Sequence, residues 1–158
     1  MAIADELQKA VERLTKSHVL VGIPSTPRTE GPIDNATLGW IHETGSPAAN
    51  IPARPFLRPG VEESKDQWIP YMRQAAEAAI TGDEGTMTNA LNAVGTTAVS
   101  AVKNTITAKI PPPLQPATVR ARRRYRATSA TAADIAGATP LVDTAQMINS
   151  ITYVIKED

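Results

Sequence analysis

Proline placement constrains this chain more than any other feature. Of its 13 prolines, 11 fall in three clusters, at 24–32, 47–59 and 111–116. A proline fixes φ and lacks an amide donor, so neither a helix interior nor a central strand runs through such a cluster. Regular structure is therefore confined to the stretches between the clusters.

Residues 3–15 predict an amphipathic helix, with Ile3, Leu7, Val11 and Leu14 spaced four, four and three apart. Residues 17–23, SHVLVGI, are apolar and largely β-branched, which predicts a buried strand stopped by Pro24. Residues 24–34 predict a loop. A short helix is expected at 35–44, with Asn35 as N-cap and Gly45 just past its end. Its apolar residues form two faces, Ala36 with Trp40 and Leu38 with Ile41. One face suits the chain's own core and the other a second chain.

Residues 46–59 predict an extended arm, because residues before proline avoid the helical region. Phe56 and Leu57 are its large apolar side chains. A helix follows at 60–80, expected to kink near Ile69 because of Pro70, and closed by Gly82. A second runs over 84–109, on Met87, Leu91, Val94, Ala98, Val102 and Ile106. Alanine-rich seams let helices approach closely, so the two are expected to pack as an antiparallel hairpin. Residues 111–139 are expected to be a flexible loop. They contain the basic run RARRRYR, 120–126, followed by a stretch of small residues. Asp143 and Gln146 form a variant capping box before a short helix to about 150. Ile151, Tyr153 and Ile155 then alternate as in a strand.

The predicted fold class is α+β. A small antiparallel or mixed sheet, containing 19–23 and 151–155, is covered by the two long helices, with a proline-rich arm and a basic loop attached. At 158 residues the chain is expected to be one domain, 1–158.

Composition narrows the function. There is no cysteine, which excludes a disulfide framework, thiolate metal sites and a cysteine nucleophile. Two histidines, His18 and His42, are too few for a multi-histidine metal site. Sixteen basic residues balance sixteen acidic ones, whereas a free-standing nucleic-acid binder is usually basic. No apolar run reaches the roughly 18 residues of a membrane span. The acidic, amphipathic start does not read as a signal peptide.

No catalytic constellation emerges. His42–Glu43 lacks the second histidine a zinc protease needs, and adjacent helical residues point about 100° apart. The pair reads as buried or interfacial, and His18 as structural. Ser100, Ser129 and Ser150 lack a nucleophile-elbow frame, and Gly22 and Gly31 form no phosphate loop. Asp34, Asp83, Asp134 and Asp143 are scattered, and three of them precede helix starts, where capping explains them. No cofactor or metal is expected, and no enzymatic activity.

Two surface features remain. Arg120, Arg122, Arg123, Arg124 and Arg126 can grip phosphates, or dock on an acidic neighbouring protein. The protein-docking reading is favoured. IPARPFLRP, 51–59, is a stiff segment with little entropy to lose on clasping a neighbour, or it lies across its own core. These two readings are compatible.

Several blocks resemble small neck and tail-completion proteins of long-tailed bacteriophages. They are VLVGIP at 19–24, LGWIHETGSPAANIPARPFLRP at 38–59, and TPLVDTAQMINSITYVI at 139–155. Glu43-Thr44-Gly45 matches the family's Glu-x-Gly helix end, and Pro52-Ala53-Arg54-Pro55-Phe56 its Pro-x-Arg-Pro-Phe segment. Leu141-Val142-Asp143-Thr144 and Ser150-Ile151 match its late block. Ala145 replaces the family's usual glycine and Met147 its leucine. The blocks cover about a third of the chain.

The resemblance implies a virion structural protein without catalysis. It would form a ring, taken as a hexamer, at the head–tail junction, completing the tail and joining it to the head around the DNA channel. Assembly would occur in the host cytoplasm. Implied partners are other copies of the chain, further neck and tail proteins and, non-specifically, DNA; no membrane is involved. Trp40, Glu43, Arg54, Phe56 and Arg58 are the expected subunit-interface residues. The arginines at 120–126 are the expected contacts to a neighbouring ring or DNA. The alternative is a DNA-binding or DNA-packaging accessory protein acting through that run.

Overall fold

The computed structural model describes residues 2–25, 33–108, 110–125 and 146–157. Its elements are α1 (Ala2–Lys16), β1 (Ser17–Gly22), α2 (Asn35–Thr44), a 3-10 turn (Pro47–Ala49) and α3 (Leu57–Glu63). They continue with α4 (Lys65–Thr81), α5 (Glu84–Thr107), α6 (Pro116–Tyr125), α7 (Gln146–Ser150) and β2 (Thr152–Glu157). The architecture is α+β: a two-stranded antiparallel sheet among long helices. Where length suggests one domain, the backbone groups into two compact units.

The first unit draws on 1–22, 58–102 and 151–158. Within it β1 pairs with β2 from Ser17 opposite Glu157 to Gly22 opposite Thr152. Its core is built of alanine: Ala10 of α1, Ala75, Ala78 and Ala79 of α4, and Met87, Ala90 and Leu91 of α5. Leu14, Met72, Val19 and Ile155 pack against this cluster, so the sheet lays its Val19–Ile155 face on the helices. Small side chains allow α1 and α4 to bring their backbones close together. Gly95 serves the same purpose: a Cβ there would meet the Tyr153 ring at 2.2 Å. The Tyr153 hydroxyl reaches Asn92 one turn earlier, at 2.9 Å.

Three expectations change in this unit. The apolar stripe of α1 is buried only in part: Leu14 packs on the core and Ala10 is buried at 1% exposure, while Leu7 and Val11 are each 52% exposed. The 60–80 helix begins earlier, at Leu57, because Pro59 falls in the first turn, where an amide has no helical partner. The helix also breaks at Ser64 rather than at Pro70, which lies inside α4. At the break the Val61 carbonyl accepts from Ser64 Oγ at 3.1 Å and from the Trp68 indole N–H at 3.1 Å. These side-chain donors satisfy the carbonyl where one helix gives way to the next.

The second unit draws on 23–57 and 103–150. It holds α2, the turn after it, the end of α5, α6 and α7. Among the described residues Phe56, Ile106, Val119 and Met147 are its buried apolar side chains. The expected loop at 111–139 is corrected over its first part, because 116–125 is helical. Pro116 sits at the first helical position, alanine and arginine are good helix formers, and Val119 is buried at 3% exposure. The capping residue Asp143 and the positions 126–145 lie outside the described residues.

Candidate functional site

The blocks at 38–59 fold onto one another within the second unit. Helix α2 is capped by Asp34, not Asn35: the Asp34 carboxylate accepts from the Thr37 amide at 2.7 Å and from the Ser25 hydroxyl. The Ser25 bond, then those from Thr37, lowers the Asp34 pKa to about 2. The buried residues of α2 are Asn35 and Gly39, four apart on one face. At Gly39 a Cβ would meet Ile23 Cδ1 at 2.6 Å, with Phe56 Cζ at 3.8 Å. Trp40, one position on, is 68% exposed.

Gly45 ends α2 with φ 79°, and its amide donates to the Ile41 carbonyl. Glycine is needed there twice over, since a Cβ would also come within 2.8 Å of the Ala53 amide nitrogen. The chain then turns back. Ser46 and Ile51 exchange amide and carbonyl in both directions, and Arg54 N–H donates to the His42 carbonyl at 2.7 Å.

That return brings two charged side chains onto backbone. One Glu43 carboxylate oxygen accepts from the Phe56 amide at 2.7 Å and the Leu57 amide at 2.9 Å. These amides open α3, so a carboxylate satisfies two otherwise orphaned donors at the positive end of a helix. Arg54 is 5% exposed; its Nε donates to the Pro112 carbonyl at 2.9 Å and its guanidinium to that of Pro113 at 3.4 Å. Phe56 is 1% exposed.

The expected interface residues thus separate. Glu43, Arg54 and Phe56 turn inward and make their contacts within the second unit. The Arg54 guanidinium holds the chain's own proline turn. Trp40 is exposed, and Arg58 is exposed and pairs with Glu62 one helical turn on, at 2.9 Å. Of the basic run, Arg120 is exposed on α6. The backbone of Arg122, Arg123 and Arg124 is helical, and Arg126 lies outside the described residues.

Sequence reasoning missed Gly39, and it named Asn35 as the N-cap of α2 while also reading Asp34 as a capping residue. The cap had a signal. Asp34 and Asp83 each precede a threonine by three positions, and each accepts that threonine's amide, Asp83 from Thr86 at 2.9 Å. Among the described residues no group of histidine and carboxylate side chains could hold a metal ion, and no helix is long and apolar enough to cross a membrane. Comparisons with protein-family models, with curated proteins and with solved structures yield no match to this chain.

Proposed function

We propose that this chain is a bacteriophage virion structural protein of the head–tail junction, a ring component that completes the tail and joins it to the head. The observation that carries the reading is the frame made by Glu43, Gly45, Arg54 and Phe56. These residues belong to the blocks that resemble the neck and tail-completion family, and their side chains serve backbone positioning instead of chemistry. A rigidly held helix that leaves Trp40 in solvent suits assembly. Ring formation requires heterologous contacts, in which Trp40 and Arg58 are the interface candidates.

The test is electron microscopy of the purified protein and of particles lacking it. The expected result is rings with an open centre, and unjoined heads and tails when the protein is absent. A protein that never forms rings, together with normal joining in its absence, overturns the reading.

The second reading is a DNA-binding accessory role. It is favoured by the helical backbone of the basic run, because a helix presents arginines in a fixed array. Duplex binding that weakens steeply with salt, without ring formation, selects it.

A further inference from the structure

The two edges of the sheet are not alike. The edge formed by β2 carries Lys156 and Glu157, both exposed. Lysine on an edge strand is a recurrent device against unwanted strand pairing. The run 17–23 on β1 carries no lysine, arginine or carboxylate. Among the described residues β1 pairs with β2 alone, so its other edge has no strand beside it.

Along β1 runs an apolar groove of about 320 Å³. It is lined by Val19, Leu20 and Val21 of the strand and by Val61, Trp68 and Met72 of the helices above it. His18 is the one titratable side chain in its lining. Such a groove fits an extended segment that is apolar and uncharged, held by main-chain hydrogen bonds to the edge.

We infer that this edge seats a second copy of the chain, whose own β1 adds antiparallel about a twofold axis at Leu20. Two observations select that occupant. First, β1 is itself an extended, apolar, uncharged strand, and Leu20 is one of the two residues at its midpoint. Pairing about Leu20 sets Val19 of one copy opposite Val21 of the other, and His18 opposite Gly22, so no like charges meet. Second, Leu20 and Val154 lie directly opposite one another and are 50% and 55% exposed. Doubling the sheet turns this half-exposed pair into a row of four apolar side chains, with Leu20 of both copies at its centre. The contact is isologous, the same patch on both copies. It is therefore separate from the heterologous contacts of a ring and stands or falls without them.

Sedimentation of the full chain and of two variants, Leu20→Lys and Leu20→Glu, tests this. Each variant alone apposes like charges at the axis, and its self-association falls at least about tenfold. An equimolar mixture of the two restores a dimer. The side chain is half exposed, so circular dichroism of both variants matches the parent. Since the chain has no cysteine, Leu20→Cys supplies a second measurement. It forms a covalent dimer under mild oxidation in much higher yield than Val154→Cys, one strand further from the axis. A parent chain that sediments as a monomer up to roughly 0.1 mM overturns the inference. So do charged variants that associate like the parent, a mixture that does not recover, or equal cross-linking at both positions. A ring built through other surfaces gives these last results.

Discussion

The two units solve the same problem with opposite materials. The first is held by close packing of small apolar groups: its cluster contains Ala10, Ala75, Ala78, Ala79 and Ala90. The second, among its described residues, buries few apolar side chains and fastens its turns with charged groups aimed at backbone, Glu43 at two amides and Arg54 at two carbonyls. An alanine seam gains stability from the number and closeness of contacts, so it tolerates no added volume. A backbone clasp gains it from a few charge-assisted hydrogen bonds, so it tolerates no lost donor or acceptor. The chain has two tryptophans, Trp68 in the first unit and Trp40 in the second. Variants that keep one or the other report each unit by fluorescence.

The largest expected effect is at the largest fully buried side chain described in the second unit. Phe56→Ala empties a site 1% exposed and should destabilise by about 3–5 kcal/mol, seen through Trp40 in denaturant unfolding. Next is overpacking of the first unit. Ala75→Leu places a large side chain at a position with 0% exposure and should cost about 1–3 kcal/mol, seen through Trp68. An Ala75→Leu variant as stable as the parent would mean that the seam has slack, and the contrast between the units would lose its first half.

The legibility of the two units in the sequence follows from the same contrast. Periodicity marks apolar residues, so β1, β2, α4 and α5 were readable, as was the pairing of the two strands. It misled at α1, where the largest apolar residues define the stripe but Ala10 is the one buried. A core made of alanine selects the smallest side chain on the face, and hydropathy does not weigh size. In the second unit the blocks at 43–45 and 52–56 were legible as motifs, but not their direction. Arg54 and Glu43 read as groups of a subunit interface, or in the case of Glu43 as buried, because a motif does not say which backbone its charges meet. Only the turn at Gly45, which brings Ala53 against α2, gives them backbone to hold. Composition pointed to a loop at 116–125, and helix propensity together with the buried Val119 decided otherwise.

Removing the clasp tests the second half of the contrast. Arg54→Ala leaves the Pro112 and Pro113 carbonyls without their charged donor and should destabilise by about 1–3 kcal/mol. Arg54→Lys should recover only part of this, because an ammonium cannot span two carbonyls as a planar fork does. Arg58→Ala, which breaks an exposed pair with Glu62, should change stability by no more than about 0.5 kcal/mol. If the two alanine variants behave alike in unfolding, Arg54→Ala followed by Trp40 and Arg58→Ala by Trp68, burial of the guanidinium contributes nothing and the second unit is not held by its clasp.

The smallest effect is the most specific, because it has a pH signature. Asp34 caps α2, and its hydrogen bonds from Ser25 and Thr37 lower its pKa from 3.8 to about 2. A carboxyl whose folded pKa lies below its unfolded one stabilises the fold while ionised. Its contribution is therefore complete above about pH 4 and is lost as the pH falls from there toward 2. Asp34→Asn keeps an acceptor for the Thr37 amide but removes the charge that favours a helix N-terminus. The parent should exceed this variant in stability at neutral pH by a constant margin, which closes between pH 4 and pH 2. Asp83, whose pKa is lowered chiefly by its bond from the Thr86 hydroxyl, caps α5 in the first unit. The corresponding margin for Asp83→Asn closes in the same direction, but it is reported by Trp68. A margin for Asp34→Asn that stays unchanged down to pH 2, measured through Trp40, would show that the cap acts through its shape alone. The second unit would then owe nothing to the charge of this carboxylate.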